Sequence, residues 1–167
     1  PPYPSWIEDY VGEQDTSNCG QNNIEVVYQS DWNLVGLPME VENPYYLTLF
    51  PDAIENTLYS FDDAYTSDSI MILGEGYWLR FESAGNTTIT GNTINELTIS
   101  LNEGWNLISG ISTPLNITDI QDTDGIIIAG TVYGFITEGY SSAEIIEPGK
   151  GYWIRANNPG SITLSDN

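Results

Sequence analysis

Gly74-Glu75-Gly76-Tyr77-Trp78-Leu79-Arg80-Phe81 returns in the second half of the chain as Gly149-Lys150-Gly151-Tyr152-Trp153-Ile154-Arg155-Ala156. Each copy reads as a turn relieved by glycine that feeds a strand: glycine tolerates positive φ, and the aromatic and branched residues that follow suit a pleated surface. Side chains alternate along a strand. Tyr77, Leu79 and Phe81 therefore share one face, as do Tyr152, Ile154 and Ala156, while Trp78 and Arg80 share the opposite face with Trp153 and Arg155. One face is apolar and the other pairs indole with guanidinium.

Upstream of each copy stands a second shared motif, Trp32-Asn33-Leu34 and Trp105-Asn106-Leu107. Trp32 and Trp105 are 73 positions apart and Trp78 and Trp153 are 75 apart, so the register holds across a whole module and the chain is a duplication. Residues 24–28 and 97–101 read as strands before the Trp-Asn-Leu motifs. Residues 57–61 and 131–135 alternate as strands, with turns at 62–65 and 137–140. Residues 48–56 and 116–122 each have room for one or two helical turns. Residues 87–90 and 161–164 close the modules. The predicted fold is all-β with one short helix per repeat: an extended arm or linker at 1–23, one repeat at 24–96 and the other at 97–167. Modules of this size are marginal alone. The expectation is one packed unit, joined through apolar strand faces including Tyr77, Leu79, Tyr152 and Ile154, with Trp32 and Trp105 in equivalent sites.

Of the 167 residues, 24 are Asp or Glu and only three are Lys or Arg, for a formal charge of −21, yet 40% are hydrophobic and 12% aromatic. That hydrophobic content belongs to a folded protein, so the acids decorate a globule. A charge of this sign makes nucleic acid and anionic lipid unfavourable partners, and it keeps copies apart unless salt screens them. A saline extracellular setting fits. All three cations, Arg80, Lys150 and Arg155, fall inside the organising motif. Cys19 is the single cysteine, so there is no internal disulfide framework. No stretch approaches the length of a membrane span, and Pro1-Pro2-Tyr3-Pro4 lacks the regions of a signal peptide, which predicts either a mature chain or a piece cut from a longer one, without membrane insertion.

On its Trp-Asn-Leu and Gly-x-Gly-Tyr-Trp motifs the chain resembles uncharacterised tandem β-repeats found toward the ends of large secreted or surface-attached bacterial proteins, over about residues 24–166. The resemblance implies an accessory module beside adhesive or carbohydrate-active domains, and no catalytic residue is carried over from it. The expected function is a non-enzymatic extracellular or cell-surface structural or adhesion module, one that could assemble with its own copies or neighbouring surface domains as a fibre or coat. The proline-rich arm, Cys19 and the exposed edges of a β fold are the features that would add a subunit. The alternative is a carbohydrate-binding accessory module of a secreted multidomain protein.

The candidate binding face is Trp78 with Arg80 and Trp153 with Arg155, since indole stacks on sugar rings and guanidinium bonds carboxylates or hydroxyls. Against it, large aromatics are mostly buried and scarce cations become ion pairs. Arg80 and Arg155 are accordingly expected to be structural partners of acidic groups. Asp119, Asp122 and Asp124 before Gly125 are a calcium candidate, although an EF-hand register centred on Gly125 would need ligands at Ile120 and Thr131, and tight-turn chemistry explains the run equally well. No other cofactor is expected. Without His, with one Cys, and without a phosphate loop or nucleophile elbow, the chain is not expected to be an enzyme. Asn86-Thr87-Thr88 and Asn116-Ile117-Thr118 are glycosylation candidates.

Overall fold

A computed structural model describes residues 20–167. The readings placed on Cys19 and on the proline-rich segment fall outside the described residues. The first module contains β1 (Asn22–Tyr28), β2 (Asp31–Gly36), β3 (Met39–Glu40), the short helix α1 (Tyr46–Leu49), β4 (Tyr59–Asp62), β5 (Ala64–Ser67), β6 (Gly76–Phe81) and β7 (Gly85–Thr93). The second contains β8 (Glu96–Leu101), β9 (Gly104–Ser109), β10 (Leu115–Asn116), a 3-10 turn (Ile117–Asp119), β11 (Tyr133–Ile136), β12 (Gly139–Ser142), β13 (Ile145–Ile146), β14 (Gly151–Ala156) and β15 (Gly160–Ser165). The fold is all-β, and every strand pair is antiparallel.

Most of the topology occurs twice; the exception is that β3 pairs with β7 in the first module while β10 pairs with β13 in the second. A four-stranded sheet in the order β2-β6-β4-β5 is repeated as β9-β14-β11-β12, and the pair β1-β7 is repeated as β8-β15. Some boundaries differ from the sequence reading. The strand β1 starts at Asn22, inside the stretch predicted as arm. The helix α1 ends at Leu49 rather than running to residue 56, because Pro51 disfavours helical backbone at Phe50. The 62–65 turn is tighter than expected: Asp63 alone takes positive φ, and β5 starts at Ala64.

The asparagine of each Trp-Asn-Leu motif ties its hairpin. Asn33 is buried; its Oδ1 accepts from the Gln29 amide at 2.9 Å and its Nδ2 donates to the Gln29 and Asp31 carbonyls at 2.9 and 3.0 Å. Asn106 repeats this with Asn102 and Gly104. An amide offers both donors and an acceptor on one rigid plane, so one side chain closes a turn that would otherwise leave buried backbone groups unpaired.

Tyr77, Leu79 and Phe81 enter the first module's own core with Val26, Phe50 and Ile89, and Tyr152, Ile154 and Ala156 enter the second's with Leu101, Ile108 and Ile162. This corrects the expectation that these faces join the modules. Each four-stranded sheet is apolar on both sides. The β1-β7 or β8-β15 pair covers one side, and the tryptophan side is left to meet its counterpart.

The modules also join edge to edge through a pseudo-two-fold pair of contacts. The Gly36 amide donates to the Gly149 carbonyl at 3.1 Å, and the equivalent Ser109 amide donates to the Gly74 carbonyl at 3.0 Å. The same relation gives the bridges Val35 to Lys150 and Glu75 to Ile108. The Gly-x-Gly pattern follows from this joint. A Cβ at Gly76 would stand 2.6 Å from the Ile108 carbonyl oxygen, and one at Gly151 would stand 2.9 Å from that of Val35.

Candidate functional site

Antiparallel register builds the tryptophan face. Trp32 lies opposite Arg80 and Leu34 opposite Trp78, while Tyr59 pairs with Trp78 and Phe61 with Tyr65. In the second module Trp105 lies opposite Arg155, Leu107 opposite Trp153, Tyr133 opposite Trp153 and Phe135 opposite Tyr140. The two faces meet in a shared cluster of Leu34, Leu107 and Trp153, with Phe61, Trp78, Tyr133 and Phe135 packed against it. Its centre is reciprocal: Trp78 stands edge to face on Phe135 with ring centroids 4.8 Å apart, and Trp153 on Phe61 at 4.9 Å. Each such pair adds about 0.5–1.5 kcal/mol beyond the area it buries.

Outside this centre the sheets diverge and leave two open clefts walled by aromatic rings. The larger, about 470 Å³, is lined by Phe61, Trp105, Tyr133, Tyr140 and Trp153. The smaller, about 360 Å³, is lined by Trp32, Tyr59, Tyr65, Trp78 and Phe135. The sets correspond position for position: Trp153 reaches the larger cleft with Phe61 as Trp78 reaches the smaller with Phe135. Each cleft thus takes residues from both modules, and the site exists only because the modules pack. Several walls face solvent: Tyr140 is 59% exposed, Tyr65 56% and Trp105 40%. Tyr140 also stands 6.3 Å from Trp78, so the clefts adjoin.

The clefts differ in their polar groups. Arg80 lies over the Trp32 ring at 5.9 Å, and its Nε meets Asp31 Oδ1 at 2.7 Å in an exposed pair. Arg155 lies over Trp105 at the same 5.9 Å. Gly104 stands where Asp31 would be, and Arg155 has no carboxylate within ion-pair distance among the described residues. The sequence expectation of two structural ion pairs therefore meets one exposed pair at Arg80 and a cation–ring stack without an acid at Arg155. Trp153 is buried to 8% exposure while Trp78 is half-buried, and the Trp153 Nε1–H has no hydrogen-bond partner among the described residues. The pKa of the nearby Tyr140 hydroxyl is raised, chiefly by burial and then by Tyr65, with the Trp153 N–H acting in the opposite direction.

The third cation belongs to the joint. Lys150 Nζ donates to the Val27 carbonyl of the first module, and burial lowers its pKa against the opposing pull of Glu147. Asp119, Asp122 and Asp124 are not brought together: Asp122 spends Oδ1 and Oδ2 on the Ile126 and Ile127 amides, both at 2.9 Å, and Asp119 Oδ2 accepts from Asn116 Nδ2 at 2.9 Å. Among the described residues no three such side chains group to hold a metal ion, which corrects the calcium candidate in favour of turn chemistry. Asn86 and Asn116 are both exposed, on β7 and β10. No helix of the described residues is long and apolar enough to cross a membrane.

Sequence reasoning placed Trp78, Arg80, Trp153 and Arg155 on one face but missed the cleft walls Tyr59, Tyr65, Tyr133 and Tyr140. The signal was present in the alternating Tyr59-Ser60-Phe61 and Tyr133-Gly134-Phe135, whose rings must fall on the same side as the paired tryptophans. Comparison of the chain with protein-family models, with curated proteins and with solved structures finds no match.

Proposed function

We propose that the chain is a non-enzymatic extracellular structural module that associates with its partners, copies of itself included, through the two aromatic clefts. The single observation that carries this reading is the pair of open, aromatic-walled clefts built where the modules meet. Their walls offer large apolar area at low side-chain entropy and no carboxylate, thiol or imidazole, which suits binding rather than bond-making. Contacts of this composition escape the charge repulsion that a −21 chain imposes elsewhere on its surface.

Sedimentation of the full chain at moderate salt tests the reading. Concentration-dependent association is expected, and Tyr65→Ala with Tyr140→Ala should weaken it without changing the fold, since both rings are more than half exposed. Association unchanged by the substitutions would refute it. Carbohydrate is the second reading, favoured by the solvent-facing rings of Trp105, Tyr65 and Tyr140 as stacking platforms. A glycan array on which the wild-type chain gives signal and the doubly substituted chain does not would establish it.

A further inference from the structure

We propose that the larger cleft is the receptor for residues 1–7, Pro-Pro-Tyr-Pro-Ser-Trp-Ile, of a second copy of the chain; this rests on the reading that the clefts hold partners. The chemistries match group by group. A proline-rich segment in polyproline II form presents apolar pyrrolidine faces and backbone carbonyls that accept hydrogen bonds, with no N–H at proline. Aromatic grooves recognise such segments, which carry little ordering entropy. The larger cleft offers the aromatic faces of Phe61, Trp105, Tyr133 and Tyr140. A sugar would bring hydroxyl donors as well, and the walls hold no carboxylate or amide to receive them.

Charge orders the contact. Residues 1–7 carry no charged side chain, and the next two are Glu8 and Asp9. Arg155, exposed beside Trp105 and without an acid among the described residues, stands at the edge of the same cleft. With rings 1–7 in the cleft, Glu8 or Asp9 reaches the guanidinium. The smaller cleft lacks a cation that is free among the described residues, because Arg80 is already paired with Asp31. The larger cleft is therefore the one with unmet needs. Fourteen residues, 8–21, lie between the segment and the start of β1 at Asn22, a length of chain that spans up to about 45 Å and so reaches a neighbouring copy. A segment-to-cleft contact is heterologous, so it propagates head to tail into fibres or rings.

Complementation between full-length variants tests the proposal by analytical ultracentrifugation. One variant carries Pro2→Ser, Pro4→Ser and Trp6→Ser; the other carries Trp105→Ala and Tyr140→Ala. Each alone should self-associate about tenfold more weakly or worse than wild type, the loss expected when an aromatic anchor is truncated. Mixed in equal amounts they should form a heterodimer that does not extend, because one supplies only the cleft and the other only the segment. A mixture that stays monomeric overturns the proposal, as does a wild-type chain that is monomeric with the segment on its own cleft. If the segment variant associates like wild type while the cleft variant does not, the clefts remain the assembly site and their occupant is something else. If the cleft variant associates like wild type, both readings fall. Should the cleft variant fold poorly, Arg155→Glu takes its place: it should weaken association and be rescued in a chain that also carries Glu8→Arg and Asp9→Arg, and absence of rescue counts against the contact.

Discussion

Gly36 and Ser109 occupy equivalent positions in the two modules and face each other across the internal two-fold. A Cβ built on Gly36 would lie 2.0 Å from Ser109 Cβ and 2.7 Å from its Oγ, with the Lys150 carbonyl oxygen next at 3.3 Å. No rotamer relieves a Cβ–Cβ overlap, so Gly36→Ala must part the strands by more than an ångström. That movement strains or breaks the Gly36–Gly149 and Ser109–Gly74 hydrogen bonds. Overpacking costs about 1–3 kcal/mol and two hydrogen bonds about 1 kcal/mol each, so a loss of roughly 3–5 kcal/mol follows. At about 2–4 °C per kcal/mol for a chain of this size, the melting temperature should fall by roughly 6–20 °C. Without the clash the same change would be mildly stabilising, since alanine restricts the unfolded chain. Ser109→Gly alone should do little: its buried Oγ has no hydrogen-bond partner, which offsets the backbone entropy lost on introducing glycine. The double variant Gly36→Ala with Ser109→Gly moves one methyl across the joint and should recover to within about 1 kcal/mol of wild type, a strong coupling between the sites. Urea or thermal unfolding followed by circular dichroism measures all three. If the double variant is as unstable as the sum of the singles, the two positions do not face each other and the two-fold joint is wrong.

Asn33→Ala and Asn106→Ala should each destabilise by about 2–4 kcal/mol, because each removes three hydrogen bonds that satisfy buried turn backbone; denaturant midpoints check this. Burial, aided by Glu75, raises the pKa of Tyr77 above its ordinary 10.0, and burial does the same for Tyr152. A raised folded-state pKa means the contribution is intact below pH 10 and is lost as pH climbs beyond it, so Tyr77→Phe should flatten the alkaline fall in stability seen by pH-dependent melting. Arg80→Met should lower stability by at most about 1 kcal/mol, since its pair with Asp31 is exposed, and a loss several times larger would show the pair to be a structural anchor.

Much of the fold was legible because duplication and strand alternation are both periodic signals. The Tyr77 and Tyr152 faces were identified as apolar, and Trp32 and Trp105 do occupy equivalent sites beside Arg80 and Arg155. The way the modules pack was not legible. Period 2 separates two faces of a strand but does not say which is covered by the module's own hairpin and which by its neighbour, and here both are apolar. The glycines of Gly-x-Gly were read as turn residues, which holds for Gly74 and Gly149 with φ near +80°. Gly76 and Gly151 serve a contact between segments distant in sequence, which local pattern does not reveal. The same limit hid the clefts, since Phe61 reaches Trp153 only across the internal two-fold. The single-position difference that sets the clefts apart, Asp31 against Gly104, is plain in the sequence but acquires meaning only once Arg155 is seen beside it.

The central claim, that copies associate through the aromatic clefts, is tested most directly by a cryo-electron-microscopy map of the assembled full-length chain. The account predicts that neighbouring copies join at the larger cleft, with an extended segment lying on Trp105, Tyr133 and Tyr140 and ending near Arg155. A map in which copies join elsewhere while both clefts stand open to solvent would contradict it.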